Sequence, residues 1–240
     1  MFSKFFTSFK VSPLIVSAAI VGAALAMALP AASANVITFT GGDPGEGITL
    51  NNPLYAVDPK GVTTILQGVT FATSNANVSM PSMGAVTADY VDSGDETATP
   101  NDNALYSILT QHDSAYSLLS TPTAVITISG LVAGDSYVIN TLVAYGTGID
   151  NGKLLTETFS YNGASTPSDT LTPIVGSGYD VQDTVVAQSG GDITEAIAST
   201  TGNNITFSAL AVTAVPEPAS LGLLTVGGLG LLLLGKRRHV

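Results

Sequence analysis

Cysteine and tryptophan are absent from the 240 residues, histidine occurs twice, and lysine and arginine together number seven against eighteen acidic residues. Without cysteine no disulfide forms, so an exported domain here is held by its core, by metal, or by both. Lys4, Lys10, Lys236, Arg237 and Arg238 all lie near the two ends, which leaves only Lys60 and Lys153 between Asn35 and Ala214. Against these two cations the same segment carries seventeen of the eighteen acids, all but Glu217, for a formal charge of −15. A surface of that sign repels phosphate backbones and argues against nucleic acid as a partner. Helical periodicity is scarce as well, which disfavours an all-α domain.

What is present at the N-terminus is a targeting pattern. Met1 to Ala34 opens with Lys4 and Lys10, continues through an apolar stretch from Val11 to Leu29, and closes on Ala32-Ser33-Ala34. A basic start, a short apolar centre and an A-x-A-like end predict a signal peptide over 1–34, cut by signal peptidase to leave Asn35 as the mature N-terminus. The alternative is an uncleaved membrane anchor.

The middle, 35–214, reads as one all-β domain. Short runs rich in Val, Ile, Thr, Tyr and Phe recur between Gly, Asn, Asp and Pro clusters. Strands are expected around Val36 to Thr40, Leu54 to Val57, Val62 to Leu66, Val69 to Thr73, Ala124 to Ser129, Tyr137 to Ala144, Thr156 to Tyr161, Tyr179 to Ala187, Asp192 to Ala198 and Ile205 to Val212. Alternation of apolar residues in Ile126-Thr127-Ile128 and in Thr206 to Leu210 fits sheets with one face on a core. Asn151-Gly152 and Asn162-Gly163 are expected reversals, since both residue types tolerate positive φ. The fold class implied is an antiparallel β-sandwich.

One segment departs from this pattern. From Asn103 to His112, the residues Leu105, Ile108, Leu109 and His112 share one helical face, with Asn101 or Asp102 available as N-cap. A short helix is expected there, with His112 at its end near the terminal carbonyls. The polar stretch before it, Asn75 to Asn101, is expected to be an extended loop.

Ile126 to Ile139 runs strand, Gly-punctuated connection, strand, and contains Gly130-Leu131 followed by Gly134 and Tyr137. This resembles the G-L-x-x-G-x-x-Y segment of fibronectin type III modules and of galactose-binding-like jelly rolls. The resemblance implies that Tyr137 sits at a corner, ring in the core and hydroxyl bonded to backbone. A domain near 180 residues suits the jelly roll better than the fibronectin module of about 100. Asp43-Pro44-Gly45-Glu46-Gly47, followed by Ile48, Leu50 and Tyr55-Ala56-Val57, is similar to the first strands of such exported domains.

The tail, 215–240, places three unlike elements in order: Val215-Pro216-Glu217-Pro218, the apolar run Ala219 to Gly235, and Lys236-Arg237-Arg238. The prolines remove backbone donors and keep Glu217 extended. A helix over 219–235 would be about 26 Å long, barely the thickness of a hydrocarbon core, and the basic cluster would stay cytoplasmic. Gly227, Gly228 and Gly230 lower its helical stability. The order resembles the PEP-CTERM sorting signal. That resemblance implies recognition by a membrane enzyme, exosortase, after transient inner-membrane anchoring, and delivery to the cell surface or extracellular matrix. Pro216, Glu217 and Pro218 match the family motif, and Arg237 and Arg238 match its terminal basic pair, with Lys236 beside them. A plain C-terminal anchor is the alternative.

Catalysis finds little support. Between the two ends His112 is the single histidine, and contiguity in His112-Asp113-Ser114 has no meaning for a triad assembled by folding. No spacing singles out two carboxylates for glycoside hydrolysis. Asp89, Asp92, Asp95 and Glu96 crowd one polar loop, and hard oxygen ligands there suit calcium, although the spacing is not that of an EF-hand. Asp43 and Glu46 form a second such candidate, and zinc is disfavoured by one histidine and no thiols. The chain therefore reads as an exported, non-enzymatic structural or adhesive protein that needs no cofactor. Its alternative is a carbohydrate-binding protein or polysaccharide hydrolase. With tryptophan absent, Tyr55, Tyr90, Tyr106, Tyr116, Tyr145, Tyr161 and Tyr179 would have to supply the sugar platforms against an extracellular polysaccharide.

Overall fold

The computed structural model describes residues 35–39, 48, 50–59, 61–81, 84–87, 100–116, 123–145, 156–172, 177–200 and 204–216. These belong to one compact unit, Ser33–Val240. Fifteen strands and one helix are described. They are β1 (Asn35–Phe39), β2 (Tyr55–Val57), β3 (Thr64–Leu66), β4 (Val69–Phe71), β5 (Val78–Ser79), β6 (Gly84–Thr87), α1 (Pro100–Thr110), β7 (Gln111–Tyr116), β8 (Thr123–Ile128), β9 (Ser136–Tyr145), β10 (Glu157–Tyr161), β11 (Asp169–Leu171), β12 (Ser177–Val186), β13 (Ile193–Ser199), β14 (Asn204–Phe207) and β15 (Ala209–Ala214).

Two five-stranded antiparallel sheets make the sandwich, one in the order β1-β12-β9-β15-β2, the other β11-β10-β13-β8-β5. A three-stranded sheet β14-β7-β6 and the hairpin β3-β4 complete it. From β8 to β10 and again from β11 to β13 the chain crosses from one large sheet to the other, so each layer is stitched by its neighbour. Alternation explains which face turns inward. In β13, Ile193, Glu195, Ile197 and Ser199 are buried while the residues between them are half-buried, and β10 repeats the pattern with Glu157, Phe159 and Tyr161.

The main core lies between the two large sheets, where Ile126, Ile128, Ile139, Val143, Phe159, Val181, Ile193, Ile197 and Phe207 are all fully buried. The first sheet is covered on its other face too. Leu142 and Ala144 of β9, Ala209 and Ala211 of β15, Leu66, Phe71 and the helix residues Leu105, Ile108 and Leu109 form that second core.

The hairpin β3-β4 turns at Gln67 and Gly68, both at positive φ (52° and 77°), the twist that a two-residue hairpin requires. The Asn162-Gly163 reversal is present with φ of 55° and 72°, closed by the Ala164 N–H on the Tyr161 carbonyl at 3.0 Å. Asn151-Gly152 lies outside the described residues.

Several expectations are corrected. The helix runs Pro100–Thr110, so Asn101 and Asp102 lie inside its first turn rather than capping it, and Pro100 occupies the first helical position, where its missing N–H costs nothing. His112 is not at a helix end: it lies in β7, opposite Val86 of β6. The apolar helical face ends at Leu109, so another turn would bury no further aliphatic surface, whereas the strand pairs on both sides with β6 and β14. The expected loop from Asn75 to Asn101 contains β5 and β6. The strand expected from Ile205 to Val212 is two strands broken at Ser208, whose N–H bonds the Leu142 carbonyl at 2.8 Å.

Candidate functional site

Tyr137 lies at the corner that opens β9. It is 2% exposed, and its hydroxyl accepts the Val132 N–H at 2.9 Å. Around it the Leu131 N–H donates to the Gly191 carbonyl and the Gly134 N–H to that of Ala187, so one turn is tied to another. Gly191 has φ of +73°, and a Cβ there would sit 2.4 Å from the Leu131 carbonyl oxygen. The corner role expected for Tyr137 is thus met, and that role is structural.

The sandwich interior holds an unexpected set of polar groups. Thr141 of β9 donates to Glu195 Oε1 of β13 at 2.7 Å, crossing from one sheet to the other, and the Tyr161 hydroxyl of β10 donates to the same oxygen at 3.2 Å. Glu195 is fully buried and its Oε2 has no hydrogen-bond partner. Nearer the sheet edge, Ser168 donates to Asp183 Oδ2 of β12 at 2.6 Å, and the Asp169 carboxyl of β11 lies close enough to feel the Asp183 charge, with its Oδ2 buried and without a hydrogen-bond partner. Burial raises the Glu195 carboxyl to about 7 against the pull of its Thr141 and Tyr161 bonds. Asp169 is raised to about 6 by burial and by the neighbouring Asp183 charge. Burial, and then the charges of Glu195 and Asp183, push the Tyr161 hydroxyl well above the usual phenol value.

Two further buried carboxyls stand apart. Glu157 of β10 accepts the Thr206 N–H at 2.5 Å and its hydroxyl at 3.1 Å, and burial raises it to about 7. Asp180, on the opposite face of the first sheet, accepts from Asn140 at 2.8 Å and is likewise raised by burial to about 7. Among the described residues there is neither lysine nor arginine, so no such cation is available within them to neutralise these acids. A neutral, protonated carboxyl is therefore the form that the interior favours. The one signal that would have found Glu157 and Glu195 is alternation, which places Glu157 in line with Phe159 and Tyr161, and Glu195 between Ile193 and Ile197.

A groove of about 360 Å³ opens beside β2 and β4, lined by Asn52, Pro53, Leu54, Val69, Thr70 and Asn75 among others. It contains no titratable side chain, so it offers recognition by amides and apolar surface rather than acid–base chemistry. Tyr161 and Tyr179 are 7% and 3% exposed, which removes both from the expected sugar platforms. Tyr55 is half-buried, its hydroxyl accepting from Asn77 at 3.1 Å, and Tyr106 packs against the second core. Tyr90 lies outside the described residues, as do the calcium candidates Asp89, Asp92, Asp95 and Glu96 and the pair Asp43 and Glu46. Among the described residues no group of three or more His, Asp or Glu is placed to hold a metal ion.

Of the sorting and cleavage residues, Asn35 starts β1 and Pro216 is exposed just beyond β15. Ala32, Ala34, Glu217, Pro218, Lys236, Arg237, Arg238 and the apolar run 219–235 lie outside the described residues. Among those described, no helix is long and apolar enough to cross a membrane.

With this geometry the chain resembles solved plant structures. The plant receptor-like kinase ANX2 aligns at 10% identity over 69% of this chain and 48% of its own, with a TM-score of 0.50. A chain from the complex of the plant peptide RALF23 with FER and LLG2 aligns at 13% identity over 70% of this chain and 52% of its own, with a TM-score of 0.51. The chain thus spans about half the length of each. At such identity the likeness is one of fold alone. No protein-family model and no curated protein matches the chain.

Proposed function

We propose that this chain is an exported surface or extracellular-matrix protein of structural or adhesive type, built on a jelly roll and sorted through a PEP-CTERM tail. The observation that carries the reading is the order Pro216-Glu217-Pro218, apolar run 219–235, Lys236-Arg237-Arg238. The fold supports it by where it leaves the chain: β15 ends at Ala214, and Val215 makes a last bond from its N–H to the Ser136 carbonyl at 2.9 Å. The Pro-Glu-Pro segment then follows at once, unable to extend the sheet because its prolines lack donors. At the other end β1 starts at Asn35, the residue that cleavage after Ala34 would leave first. The jelly-roll reading is supported by the crossing of successive strands between two five-stranded sheets. A non-catalytic role is supported by the placement of Glu157 and Glu195 inside the packed core, away from the groove beside β2.

On this reading signal peptidase removes 1–34, exosortase recognises the extended motif, and the domain is released to face extracellular polysaccharide without a cofactor. Glu217→Ala separates a sorting signal from an anchor, because hydrophobic partitioning of 219–235 does not depend on a residue outside the bilayer. In a host that has the processing enzyme, fractionation and immunoblotting are expected to find the variant retained at full length in the inner membrane and depleted from the surface. Unchanged mobility and distribution would leave a plain anchor.

A further inference from the structure

At one corner of the sandwich a single side-chain amide ties three segments together. Asn162 follows β10, and its Nδ2 donates at 2.9 Å to the carbonyl of Val186, the last residue of β12 in the other large sheet. Its Oδ1 accepts the Gln188 Nε2 at 2.9 Å and the Thr194 N–H of β13 at 3.2 Å, while its own backbone N–H donates to the Thr194 carbonyl at 2.8 Å. The connection it holds, Ala187 to Asp192, also receives the Tyr137 corner, through the Gly134 N–H on the Ala187 carbonyl and the Leu131 N–H on that of Gly191. Asn162 is half-buried and Gly163 exposed, and a Cβ added to Gly163 would meet nothing within 4 Å, so no neighbouring group crowds the backbone there. In an Asn-Gly pair the glycine nitrogen can attack the preceding side-chain amide readily, because no Cβ obstructs its approach.

We propose that Asn162 is a deamidation site guarded by the folded corner: its bonds to Val186, Gln188 and Thr194 block the reaction, and local opening of the corner permits it. The Gly163 nitrogen bonds to Asn162 Cγ and gives up its proton, and Nδ2 leaves as ammonia, which closes a five-membered succinimide. Water then opens the ring to an aspartate or an isoaspartate. Before that attack the side chain has to rotate off its three partners, so the frequency of local opening sets the rate. Reclosing does not restore the corner. An aspartate at position 162 has no N–H for the Val186 carbonyl and sets a charge beside it. An isoaspartate adds a carbon to the backbone of a turn that is closed by the Ala164 N–H on the Tyr161 carbonyl at 3.0 Å. The site does not depend on how the tail is processed.

The test is incubation of the full-length chain in detergent at mildly alkaline pH, with deamidation at Asn162 followed by peptide mapping and mass spectrometry. A synthetic peptide of residues 158–168 supplies the unguarded rate. The folded chain is expected to react at least about tenfold more slowly than the peptide. Gln188→Ala removes one of the three partners and is expected to speed the reaction in the folded chain several-fold. Urea below the unfolding transition separates a local opening from a global one, because only an opening that exposes much surface is strongly promoted by denaturant. The Asn162 rate is expected to be nearly flat across that range. A folded chain that reacts as fast as the peptide, or a Gln188→Ala variant that reacts no faster than the parent, would overturn the proposal. Should that variant not fold, the urea series on the parent decides: a flat rate supports the guarded corner, and a rate that climbs steeply from the lowest urea assigns the reaction to global unfolding and refutes it.

Discussion

Tyr137 and Glu157 show how differently two residues announce themselves. The resemblance of Gly130-Leu131, Gly134 and Tyr137 to the G-L-x-x-G-x-x-Y segment implies a corner tyrosine, and the hydroxyl is found on the Val132 N–H. Tyr137→Phe keeps the ring and leaves that N–H unpaired, so a loss of about 1–3 kcal/mol is expected in denaturant unfolding. Glu157 was equally legible by alternation, yet an acid is normally assigned to the solvent face, and the burial of Glu157 is settled only by Thr206 arriving from a distant strand. Its sign with pH follows from its raised value of about 7. The folded state is favoured in full below the ordinary carboxyl value and loses that advantage as the pH rises through 7. Glu157→Gln removes the ionisation but keeps an acceptor for Thr206. Its unfolding midpoint is expected to match the parent in acid and to exceed it above about pH 8. A variant that is less stable at both extremes would contradict the neutral-carboxyl reading.

At the scale of elements, strands with strong alternation were readable from the chain and short edge pieces were not. The runs that became β8, β9, β10, β12 and β13 place aliphatic or aromatic residues at most alternate positions, interrupted by Thr141, Glu157, Asp183 and Glu195, and their bounds differ from expectation by at most two residues. By contrast β7 is Gln111-His112-Asp113-Ser114-Ala115-Tyr116, with little strand propensity of its own, and is held by partners on both sides. β5, β6 and β11 are two to four residues each, too short to show a period. For α1 the apolar face was legible and its ends were not, because the caps depend on what the chain meets next. Leu105 is fully buried in the second core, against the first sheet and the β3-β4 hairpin. Leu105→Ala is expected to cost about 2–5 kcal/mol. A cost under about 0.5 kcal/mol, the size of a surface change, would mean that the helix does not seal that core.

At the scale of the whole molecule, charge and chain ends govern behaviour. The segment 35–214 carries −15, yet Glu157, Asp180 and Glu195 are withdrawn from the surface and favour the neutral form near pH 7. Acid therefore stabilises the domain through two routes that salt distinguishes, since screening weakens surface repulsion and leaves buried groups largely untouched. On the proposed reading the two ends are linear signals, which enzymes read before or apart from folding and which a sequence therefore carries without reference to the fold. The first described strand starts at Asn35 and the last ends at Ala214. The most direct measurement of the export-and-sorting account is the intact mass, with sequencing of both termini, of the protein recovered from the surface of a host that has the processing enzyme. The expected product begins at Asn35 and lacks the apolar run 219–235. A product that begins at Met1, or that keeps Lys236-Arg237-Arg238, would contradict it.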